Sequence, residues 1–330
     1  MVEQPFISII IPCRNEENFI ERCLNSIVGQ DYPKNRMEVF VVDGESEDKT
    51  REIVKRYEEK HPFIKLLRNE KKYTPFGLNI GIKNSKGEII MRFDAHATYQ
   101  NDYISKCVKY LNDYKADNVG GVAKATPSKN TLIAKAIALV LSHFFGAGSS
   151  AFRTGAKDVK EADTVFGGCY KREVFDRIGL YNENLIRSQD MEFNLRLKKA
   201  GGKIILVPSI VSSYYPKSNL RDFFLHNVKD GIWAVYPLKF NVPFRLRHYI
   251  PLFFVLSLII LPILSLYLYL FMNLFFFIIF FYLFSNIFLS FTIAFKENNA
   301  LLFLVLPLVF LVRHIGYGLG SFFGLFKILM

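Results

Sequence analysis

Short apolar runs alternate with segments of helical hydrophobic spacing through the first 95 residues. The runs are FISIIIP (6–12), MEVFVVD (37–43), FIKLLR (63–68) and EIIMRFD (88–94), and the helical segments are 16–29, 46–59 and 75–85. The runs lack a strict apolar–polar alternation, which is typical of strands covered on both faces. The alternation of strands and helices predicts an α/β domain with a doubly wound, mostly parallel, Rossmann-like sheet.

The pattern changes after residue 248, where the chain becomes almost continuously apolar. No charged residue lies between Ile250 and Phe295. Because a bilayer-spanning helix needs about 20 apolar residues, this run is long enough for two helices, with a tight turn at Met272 and Asn273. A third apolar stretch is interrupted by Arg313 and by several glycines. Three arrangements fit that stretch: it spans the membrane, re-enters it or lies along its interface.

These patterns predict a domain division near residue 240. We expect a globular domain at 1–240 and a membrane domain at 241–330, with transmembrane helices at about 250–270, 274–295 and 300–326. Another apolar and weakly basic helix is expected at 132–152. It fits either ordinary core packing or an interfacial helix beside the membrane.

Charge supports a membrane-bound protein with a cytoplasmic globular part. The net charge is +12, and only three of the 42 basic and one of the 30 acidic residues follow residue 248, so the first 248 residues carry +10. A basic surface suits nucleic acid, anionic lipid or phosphate-bearing substrates, and the apolar tail favours a membrane surface over nucleic acid. Lys239, Arg245, Arg247 and His248 precede the first apolar helix, and such cations favour the cytoplasmic side.

The N-terminal sequence and the cysteines agree with that location. MVEQPFISIIIP has no basic n-region and no small-residue cleavage site, so it predicts a strand and not a signal peptide. The four cysteines form no C-x-x-C pair, and we expect buried, reduced thiols. We therefore expect a multi-pass protein of the cell membrane.

Polar clusters follow three of the predicted strands. They are IPCRNEEN after the first strand, VVDGESEDKT at the end of the second and FDAH at the end of the fourth. Ligands of such sheets bind beyond the carboxyl ends of the strands, so we expect residues 12–16, Asp43 and Asp94 to face one crevice. A single polar residue at a strand end often only caps the following helix. This is the plainest interpretation of Ser46 and Asp48. Three polar strand ends on one edge indicate a ligand site.

Asp94 and His96 form a candidate metal site. They lie two residues apart, so on an extended backbone their side chains point to the same side. A carboxylate with an imidazole suits Mn²⁺ or Mg²⁺ that keeps water ligands and binds phosphate oxygens. The pair alone is weak, since a strand-end cap beside a surface histidine is common. The metal-site interpretation is strengthened by Asp43, which is placed to reach a base or a ribose, and by Asn79 and Arg92 nearby.

A second group of candidates lies between residues 163 and 208. Gly167 and Gly168 lack side chains and would let a ligand approach the backbone. Gln189 and Asp190 open a predicted helix that runs to Ala200. Acidic residues in a first helical turn ordinarily complement the helix dipole. The functional interpretation makes Asp190 a general base aimed at the crevice.

Taken in order, the motifs IPCRNEEN, VVDGESEDKT, FDAHA, VFGG and RSQDMEFNLRLKKAG resemble the family 2 glycosyltransferases, which have the GT-A fold. The resemblance covers the whole globular part. FDAHA, RSQDMEFNLRLKKAGG and YYPKSNLRDFFLHNVKDGIW (214–233) are most similar to the exopolysaccharide subgroup exemplified by succinoglycan glucosyltransferases. The resemblance implies a metal-dependent, inverting hexosyltransferase that uses a UDP- or GDP-sugar with Mn²⁺ or Mg²⁺.

The resemblance also implies roles for individual residues. Asp94 matches the first position of the family's D-x-D metal motif, with His96 in place of the second aspartate, and Asp190 matches its base carboxylate. Gly44 stands where many members have another aspartate, so nucleoside recognition depends more on Asp43 and Glu45. The donor nucleotide residues implied are Pro12, Arg14, Glu16, Asp43, Glu45, Asn79, Arg92 and Asp94, and the acceptor or diphosphate residues are Gly167, Gly168, Gln189, Lys217, Arg221, His226 and Trp233.

The apolar tail suggests an acceptor that sits in the membrane, a polyprenyl-diphosphate-linked sugar. The nearest alternative is a polyprenyl-phosphate sugar synthase, whose acceptor phosphate is already ionised and needs no base. A processive synthase is disfavoured because HNVKDGIW replaces the usual Q-x-x-R-W, and a nucleotidyltransferase because IPCRNEEN is not a glycine- and arginine-rich loop. A non-catalytic, membrane-tethered carbohydrate-binding protein would not require Asp43, Asp94 and Asp190 together.

Overall fold

The computed structural model describes residues 4–242 and 246–329. Contacts divide the chain into two compact units. The first consists of Met1–Lys124 and Ala151–Tyr214, and the second of Ala125–Ser150 and Tyr215–Met330. Segments 125–150 and 215–240 therefore group with the C-terminal helices. The functional division predicted at residue 240 stays a prediction.

The first unit contains a nine-stranded sheet. The strands are β1 (Ile7–Cys13), β2 (Met37–Asp43), β3 (Ile64–Arg68), β4 (Ile89–Arg92), β5 (Ala97–Tyr99), β6 (Asn118–Ala125), β7 (Lys160–Glu161), β8 (Phe166–Lys171) and β9 (Ile204–Tyr214). Their order is β3-β2-β1-β4-β8-β6-β9-β5, and β7 pairs with β9 outside this path. The helices are α1 (Ile20–Val28), α2 (Thr50–Lys60), α3 (Thr74–Asn84), α4 (Tyr103–Asp113), α7 (Ala151–Thr154), α8 (Arg172–Ile178) and α9 (Gln189–Lys199), with a 3-10 turn at Lys34–Arg36.

The sheet is mixed. Strands β1 to β4 pair in parallel, and α1, α2 and α3 connect them, as the alternating pattern predicted. Beyond β4 the pairings β4–β8, β6–β8, β5–β9 and β7–β9 are antiparallel. Only residues 93–96 separate β4 from β5, far fewer than the dozen or more that a parallel crossover needs.

The parallel strands are buried on both faces, as their continuous apolar runs predicted. Ile9 and Ile11 of β1 belong to one buried cluster, and Ile10 between them belongs to another on the opposite face. All four cysteines are buried and free, which confirms the expected reduced thiols. Strand β4 ends at Arg92, so Phe93 and Asp94 already belong to the loop that leaves the sheet.

The second unit is helical in its described part. Its helices are α5 (Leu132–Ser142), α6 (Phe144–Ala147), α10 (Leu220–Val235), α11 (Ile250–Leu264), α12 (Leu270–Lys296) and α13 (Leu301–Leu329), with 3-10 turns at Tyr236–Phe240 and Leu246–His248. The single helix expected at 132–152 is wrong. His143 is extended and its Nδ1 accepts the Phe145 N–H, and Gly148 has φ +63°, so the segment breaks into α5, α6 and α7.

The apolar tail also departs from the expected boundaries. The turn predicted at Met272 and Asn273 is wrong, because both lie inside α12 and the connection is 265–269. Helix α11 ends at Leu264, and the hydroxyl of the next residue, Ser265, donates to the Pro262 carbonyl at 2.6 Å. Helix α11 has 15 residues and, at about 1.5 Å a residue, is shorter than a bilayer core. Helices α12 and α13 are long and apolar enough to cross a membrane by length and composition.

Helices α10 and α13 pack with their backbones close together. A Cβ at Gly231 of α10 would meet the Tyr317 carbonyl oxygen of α13, and a Cβ at Gly320 of α13 would meet the Val228 carbonyl oxygen. The glycines of the tail therefore allow α13 to pack closely against its neighbour, and they do not interrupt the helix. Arg313 turns inward from α13, where Nε donates to Gly146 O at 3.1 Å and Nη1 donates to Asn227 Oδ1. Arg245 lies outside the described residues.

Candidate active site

The loop after β1 and the loop after β2 are tied together by hydrogen bonds. Asn15 N–H donates to Ser46 Oγ at 2.9 Å, and Glu47 N–H donates to Asn15 Oδ1 at 2.9 Å. Glu16 N–H donates to Thr50 Oγ1 at 2.8 Å. Helix α2 begins at Thr50, and the predicted start at Ser46 is wrong. The hydrogen bonds between the two loops also hold the carboxyl ends of β1 and β2 together at one edge of the sheet.

Asp43, the last residue of β2, is only 2% exposed. Its Oδ2 accepts the Ser46 N–H at 3.1 Å and lies 3.5 Å from Arg51 Nε. Its Oδ1 is buried and has no hydrogen-bond partner among the described residues. Because an unpaired buried acceptor is costly, this oxygen is suited to accept a hydrogen bond from a ligand.

Two neighbours of Asp43 have clear structural roles. Glu45 Oε1 accepts from Arg68 Nε at 2.5 Å, and this hydrogen bond lowers the pKa of Glu45 below its usual value. A Cβ on Gly44 would come within 2.7 Å of the Lys72 carbonyl oxygen. The close approach of the Lys72 backbone leaves no room for a side chain at position 44 of this chain. Arg14 is exposed and lies 3.5 Å from Glu47.

At the end of β4 the geometry is dominated by Arg92. Its Nη2 donates to Asp94 Oδ1 at 2.8 Å, and its Nη1 lies 3.3 Å from Asp190 Oδ2. Burial disfavours the charged guanidinium, yet the two carboxylates outweigh this and raise the pKa of Arg92 above its usual value. Arg92 therefore stays charged and brings together two aspartates that are remote in sequence.

Asp190 lies in the first turn of α9, where the helix dipole favours a carboxylate. Its Oδ1 accepts the Met191 N–H at 2.9 Å, and its Oδ2 faces Arg92. The side chain is 35% exposed, so a substrate can reach it. A partly exposed carboxylate with one oxygen on a backbone N–H and the other facing a guanidinium is suited to act as a general base.

His96, in the loop between β4 and β5, faces Glu16 of the loop after β1. Its Nδ1 lies 3.0 Å from Glu16 Oε1, and its ring contacts the Tyr214 ring at a centroid distance of 5.2 Å. A carboxylate on one ring nitrogen is the usual way to orient the other nitrogen of a ligating histidine. The structure thus gives Glu16 a contact with His96 in addition to the nucleoside role expected from the sequence.

The residues present fit a divalent cation that is completed by substrate oxygens. Asp94 and His96 offer one carboxylate and one imidazole, whose side chains are 15% and 34% exposed. The described part of the chain contains no group of three or more residues able to hold a metal alone. Mg²⁺ and Mn²⁺ sites of nucleotide enzymes commonly combine one or two protein ligands with phosphate oxygens.

The remaining predicted residues of the first unit contact the protein itself. Asn79 is buried, donates to Tyr181 O and Glu183 Oε1 at 2.9 Å and accepts the Tyr181 N–H, so its amide holds the loop before α9. Gly167 has φ +71°, and a Cβ there would lie 2.9 Å from Arg92 O. The other predicted residues of this unit are Pro12 near the end of β1, Gly168 with φ +100° in β8 and the buried Gln189 of α9.

Four predicted acceptor residues lie in the second unit. Lys217 and Arg221 are exposed. His226 Nε2 lies 3.4 Å from Asp230 Oδ2 on α10. Trp233 is buried, packs edge-on against Tyr236 and has Lys327 Nζ 5.4 Å from its ring centroid. A role of these residues at the diphosphate or the acceptor stays a prediction.

Sequence reasoning missed two residues of the site. Tyr99 Oη accepts the Asp94 N–H at 2.7 Å, and burial raises the pKa of Tyr99, so its hydroxyl stays protonated. Arg51 lies beside Asp43. Neither stands in a recognisable motif. Tyr99 lies five positions after Asp94 in the sequence, and this spacing alone does not indicate the contact.

The family is decided by comparison with known proteins. Residues 8–179 match the model of the family described as glycosyl transferase family 2, and they contain Asp43, Asp94 and His96. The chain belongs to glycosyl transferase family 2. The resemblance inferred from its motifs is thereby confirmed.

Two relatives are similar to this family 2 glycosyltransferase over most of their length. The chain is 36% identical over 235 residues to the dolichyl N-acetyl-alpha-D-glucosaminyl phosphate 3-beta-D-2,3-diacetamido-2,3-dideoxy-beta-D-glucuronosyltransferase of Methanococcus voltae, covering 68% of this chain and 72% of that protein. It is 32% identical over 247 residues to the succinoglycan biosynthesis protein ExoA of Rhizobium meliloti, covering 70% and 74%. The similarity to ExoA agrees with the exopolysaccharide subgroup inferred from the motifs.

The fold matches a solved glycosyltransferase. The mannosyltransferase PcManGT of Pyrobaculum calidifontis, in complex with GDP-Man and Mn²⁺, superposes with a TM-score of 0.54 at 24% identity. The match covers 70% of this chain and 63% of that chain, just under two thirds of it. The family 2 glycosyltransferase therefore has the predicted GT-A fold, a mixed sheet with helices on both faces.

Proposed function

We propose that this family 2 glycosyltransferase is a membrane-bound, inverting hexosyltransferase. It transfers a sugar from a UDP- or GDP-sugar to a hydroxyl of a polyprenyl-diphosphate-linked saccharide at the cytoplasmic face of the cell membrane. The observation that carries the proposal is the bridge from Asp94 through Arg92 to Asp190, with 2.8 Å and 3.3 Å contacts. It brings a carboxylate suited to the donor and a carboxylate suited to the acceptor into one site.

The donor half of the reaction depends on the strand ends. The buried Oδ1 of Asp43 accepts a hydrogen bond from the nucleoside, and Asp94 and His96 would hold a divalent cation, Mn²⁺ or Mg²⁺. Such a cation would neutralise the charge that develops on the leaving diphosphate. Support for this assignment comes from the buried unpaired oxygen of Asp43 and from the carboxylate–imidazole pair.

The acceptor half depends on Asp190. Its carboxylate takes the proton from the acceptor hydroxyl while the hydroxyl oxygen attacks the anomeric carbon. The bond from that carbon to the diphosphate breaks on the opposite face, and the diphosphate keeps the electron pair. Attack from the back inverts the anomer, so an α-linked donor gives a β-linked product.

The membrane-linked acceptor is supported by the tail and by the relatives. Helices α12 and α13 are long and apolar enough to cross a membrane, and the Methanococcus voltae relative is named for a dolichyl-phosphate-linked sugar. Lys217, Arg221, His226 and Trp233 of the second unit bind the diphosphate or the acceptor in this proposal. A soluble saccharide substrate would not require the apolar tail, and nucleic acid has no role.

The decisive experiment is a panel of UDP- and GDP-sugars, each with Mn²⁺ or Mg²⁺, added to the full chain in lipid nanodiscs. Nucleotide release and product on a polyprenyl-diphosphate-linked saccharide are measured together. We expect Asp190→Asn to lower transfer by about 10²- to 10⁴-fold and to leave nucleotide binding unchanged. The matched control is Asp176→Asn, an exposed aspartate of α8, which should transfer at the wild-type rate.

Two outcomes contradict the proposal. No nucleotide release with any donor and either cation argues for a carbohydrate-binding protein without activity. Full transfer by Asp190→Asn to a polyprenyl phosphate, whose oxygen is already ionised, identifies a polyprenyl-phosphate sugar synthase instead.

A further inference from the structure

We propose that Arg92 is a positioning residue that couples the two halves of the reaction, and not a ligand of the donor nucleotide. Its guanidinium fixes the base Asp190 relative to the cation-binding Asp94. The inference rests on the proposed function and adds a residue role to it. It departs from the donor-binding role that the sequence resemblance implied for Arg92.

The geometry supports a bridge. Two different nitrogens of one guanidinium face the two carboxylates, Nη2 with Asp94 and Nη1 with Asp190. The group is planar and rigid, so it sets the spacing of its partners in a way that a lysine ammonium does not. Arg92 is 13% exposed and is the last residue of β4, so its own backbone is fixed by the sheet.

Stability alone does not account for this arrangement. A buried ion pair is often no more stabilising than apolar residues of similar volume, because both charges lose their hydration. Arg92 has a further cost, since its Nε is buried and has no hydrogen-bond partner among the described residues. An expensive buried cation at the meeting point of two candidate active-site carboxylates is more readily explained by a role in the reaction.

The charge balance leads to a specific expectation. One guanidinium offsets one of the two carboxylates, so the group of Arg92, Asp94 and Asp190 keeps a net charge of about −1 when all three are ionised. A divalent cation can therefore still bind at Asp94, but against repulsion from Arg92. Removal of Arg92 should strengthen cation binding and at the same time release Asp190 from its orientation. A donor ligand would behave differently, because its removal would weaken nucleotide binding.

The test compares Arg92→Met and Arg92→Lys with the wild type and with a matched control, all as the full chain in nanodiscs. The control is Arg177→Met, which removes another arginine–aspartate pair of the first unit, Arg177 with Asp117 at 2.7 Å. Mn²⁺ binding is measured by electron paramagnetic resonance without nucleotide. UDP and GDP binding are measured by calorimetry without metal, and sugar transfer in a single turnover.

We expect Arg92→Met to bind Mn²⁺ several-fold more tightly and to bind UDP or GDP as the wild type does. Transfer should fall by about 100-fold, the loss that follows when a reacting group is misplaced by about 1 Å. Arg92→Lys keeps the positive charge but cannot bridge both carboxylates, so Mn²⁺ affinity should stay near the wild-type value while transfer still falls. Arg177→Met should match the wild type in all three measurements.

Each contrary result has a definite meaning. Weaker UDP or GDP binding by Arg92→Met would make Arg92 a donor ligand and overturn the inference. Unchanged transfer by both variants would overturn it as well. If the wild type releases nucleotide from no sugar nucleotide, the proposed function fails separately, and the Mn²⁺ affinities alone decide whether Arg92 opposes a cation at Asp94. If Arg92→Met does not fold, Arg92→Lys decides the outcome. Wild-type UDP or GDP binding with reduced transfer supports the inference, and weaker nucleotide binding overturns it.

Discussion

Asp43 is the last residue of β2 and Asp94 lies in the loop that follows β4, and the surroundings of the two carboxylates differ. Asp43 is 2% exposed and is held chiefly by the Ser46 N–H, and its other oxygen has no hydrogen-bond partner among the described residues. Asp94 is held by the buried cation Arg92, which also reaches Asp190. The first environment suits a neutral hydrogen-bond donor such as a ribose hydroxyl or a base N–H. The second suits groups whose charge changes during a reaction.

Asp43→Ala should give the largest effect that separates the two regions. It removes a charged acceptor, and hydrogen bonds to charged groups contribute about 1.5–3 kcal/mol, so UDP or GDP affinity should fall by about 10- to 100-fold. Mn²⁺ affinity without nucleotide should stay unchanged. Calorimetry and paramagnetic resonance on the same protein measure both quantities. A parallel loss of Mn²⁺ affinity would show that the two regions are not separate.

Gly44→Ala should destabilise the nucleoside region without touching the reaction region. The added methyl would meet the Lys72 carbonyl oxygen at 2.7 Å, and such overpacking costs about 1–3 kcal/mol. A lower thermal unfolding midpoint is the expected result. Gly29→Ala is the control, since its methyl would meet the Asn25 carbonyl oxygen at the milder distance of 3.3 Å. Equal midpoints for the two variants would contradict this account of Gly44.

His96→Asp should change the metal preference by a smaller factor. An imidazole favours Mn²⁺ over Mg²⁺ more than a carboxylate does, so the ratio of Mn²⁺ to Mg²⁺ affinity should fall. The new carboxylate would also face Glu16, whose Oε1 lies 3.0 Å from His96 Nδ1, and like charges repel. Competition of Mg²⁺ against bound Mn²⁺ measures the ratio. An unchanged ratio would exclude His96 from the metal site.

The smallest effect concerns Glu45 and Arg68. The hydrogen bond from Arg68 lowers the pKa of Glu45 in the folded protein, so this pair contributes stability above the unfolded pKa of about 4.3 and loses it as the pH falls through the folded pKa. Glu45→Gln should be slightly less stable than the wild type at pH 7 and equal to it at a pH below both values. Urea unfolding at the two pH values tests this sign. A larger difference at low pH would contradict it.

The sequence predicted features that depend on neighbouring residues. Asp43 and Asp94 were predicted at strand ends, because an apolar run that stops at a polar residue marks both the strand and its end. The bridge from Arg92 to Asp190 could not be predicted, because the two residues are remote in sequence and no spacing rule relates them. The resemblance to a family identified Asp190 by its motif, but it gave no information about the partner of that carboxylate.

Hydropathy was likewise a partial guide in the tail. It located apolar helices, but their ends were wrong because Met272 and Asn273 are both tolerated inside a helix, whereas Ser265 binds the preceding turn. Hydropathy showed Arg313 only as a charge that interrupts an apolar stretch, and it gave no information about the partners of that charge. The guanidinium bonds to Asn227 and to the Gly146 carbonyl, and these contacts depend on tertiary packing.

The close backbone contact of α10 and α13 bears on how a water-soluble fragment of this protein could be prepared. A chain cut after residue 240 would keep α10 and α5 but lose α13. Solvent would then reach the backbone at Gly231. It would also reach the apolar side chains Ile137 and Val140, which share a buried cluster with Leu306 of α13. Such a fragment should aggregate or retain detergent, so biochemical work on this protein calls for the uncut polypeptide in a lipid mimetic.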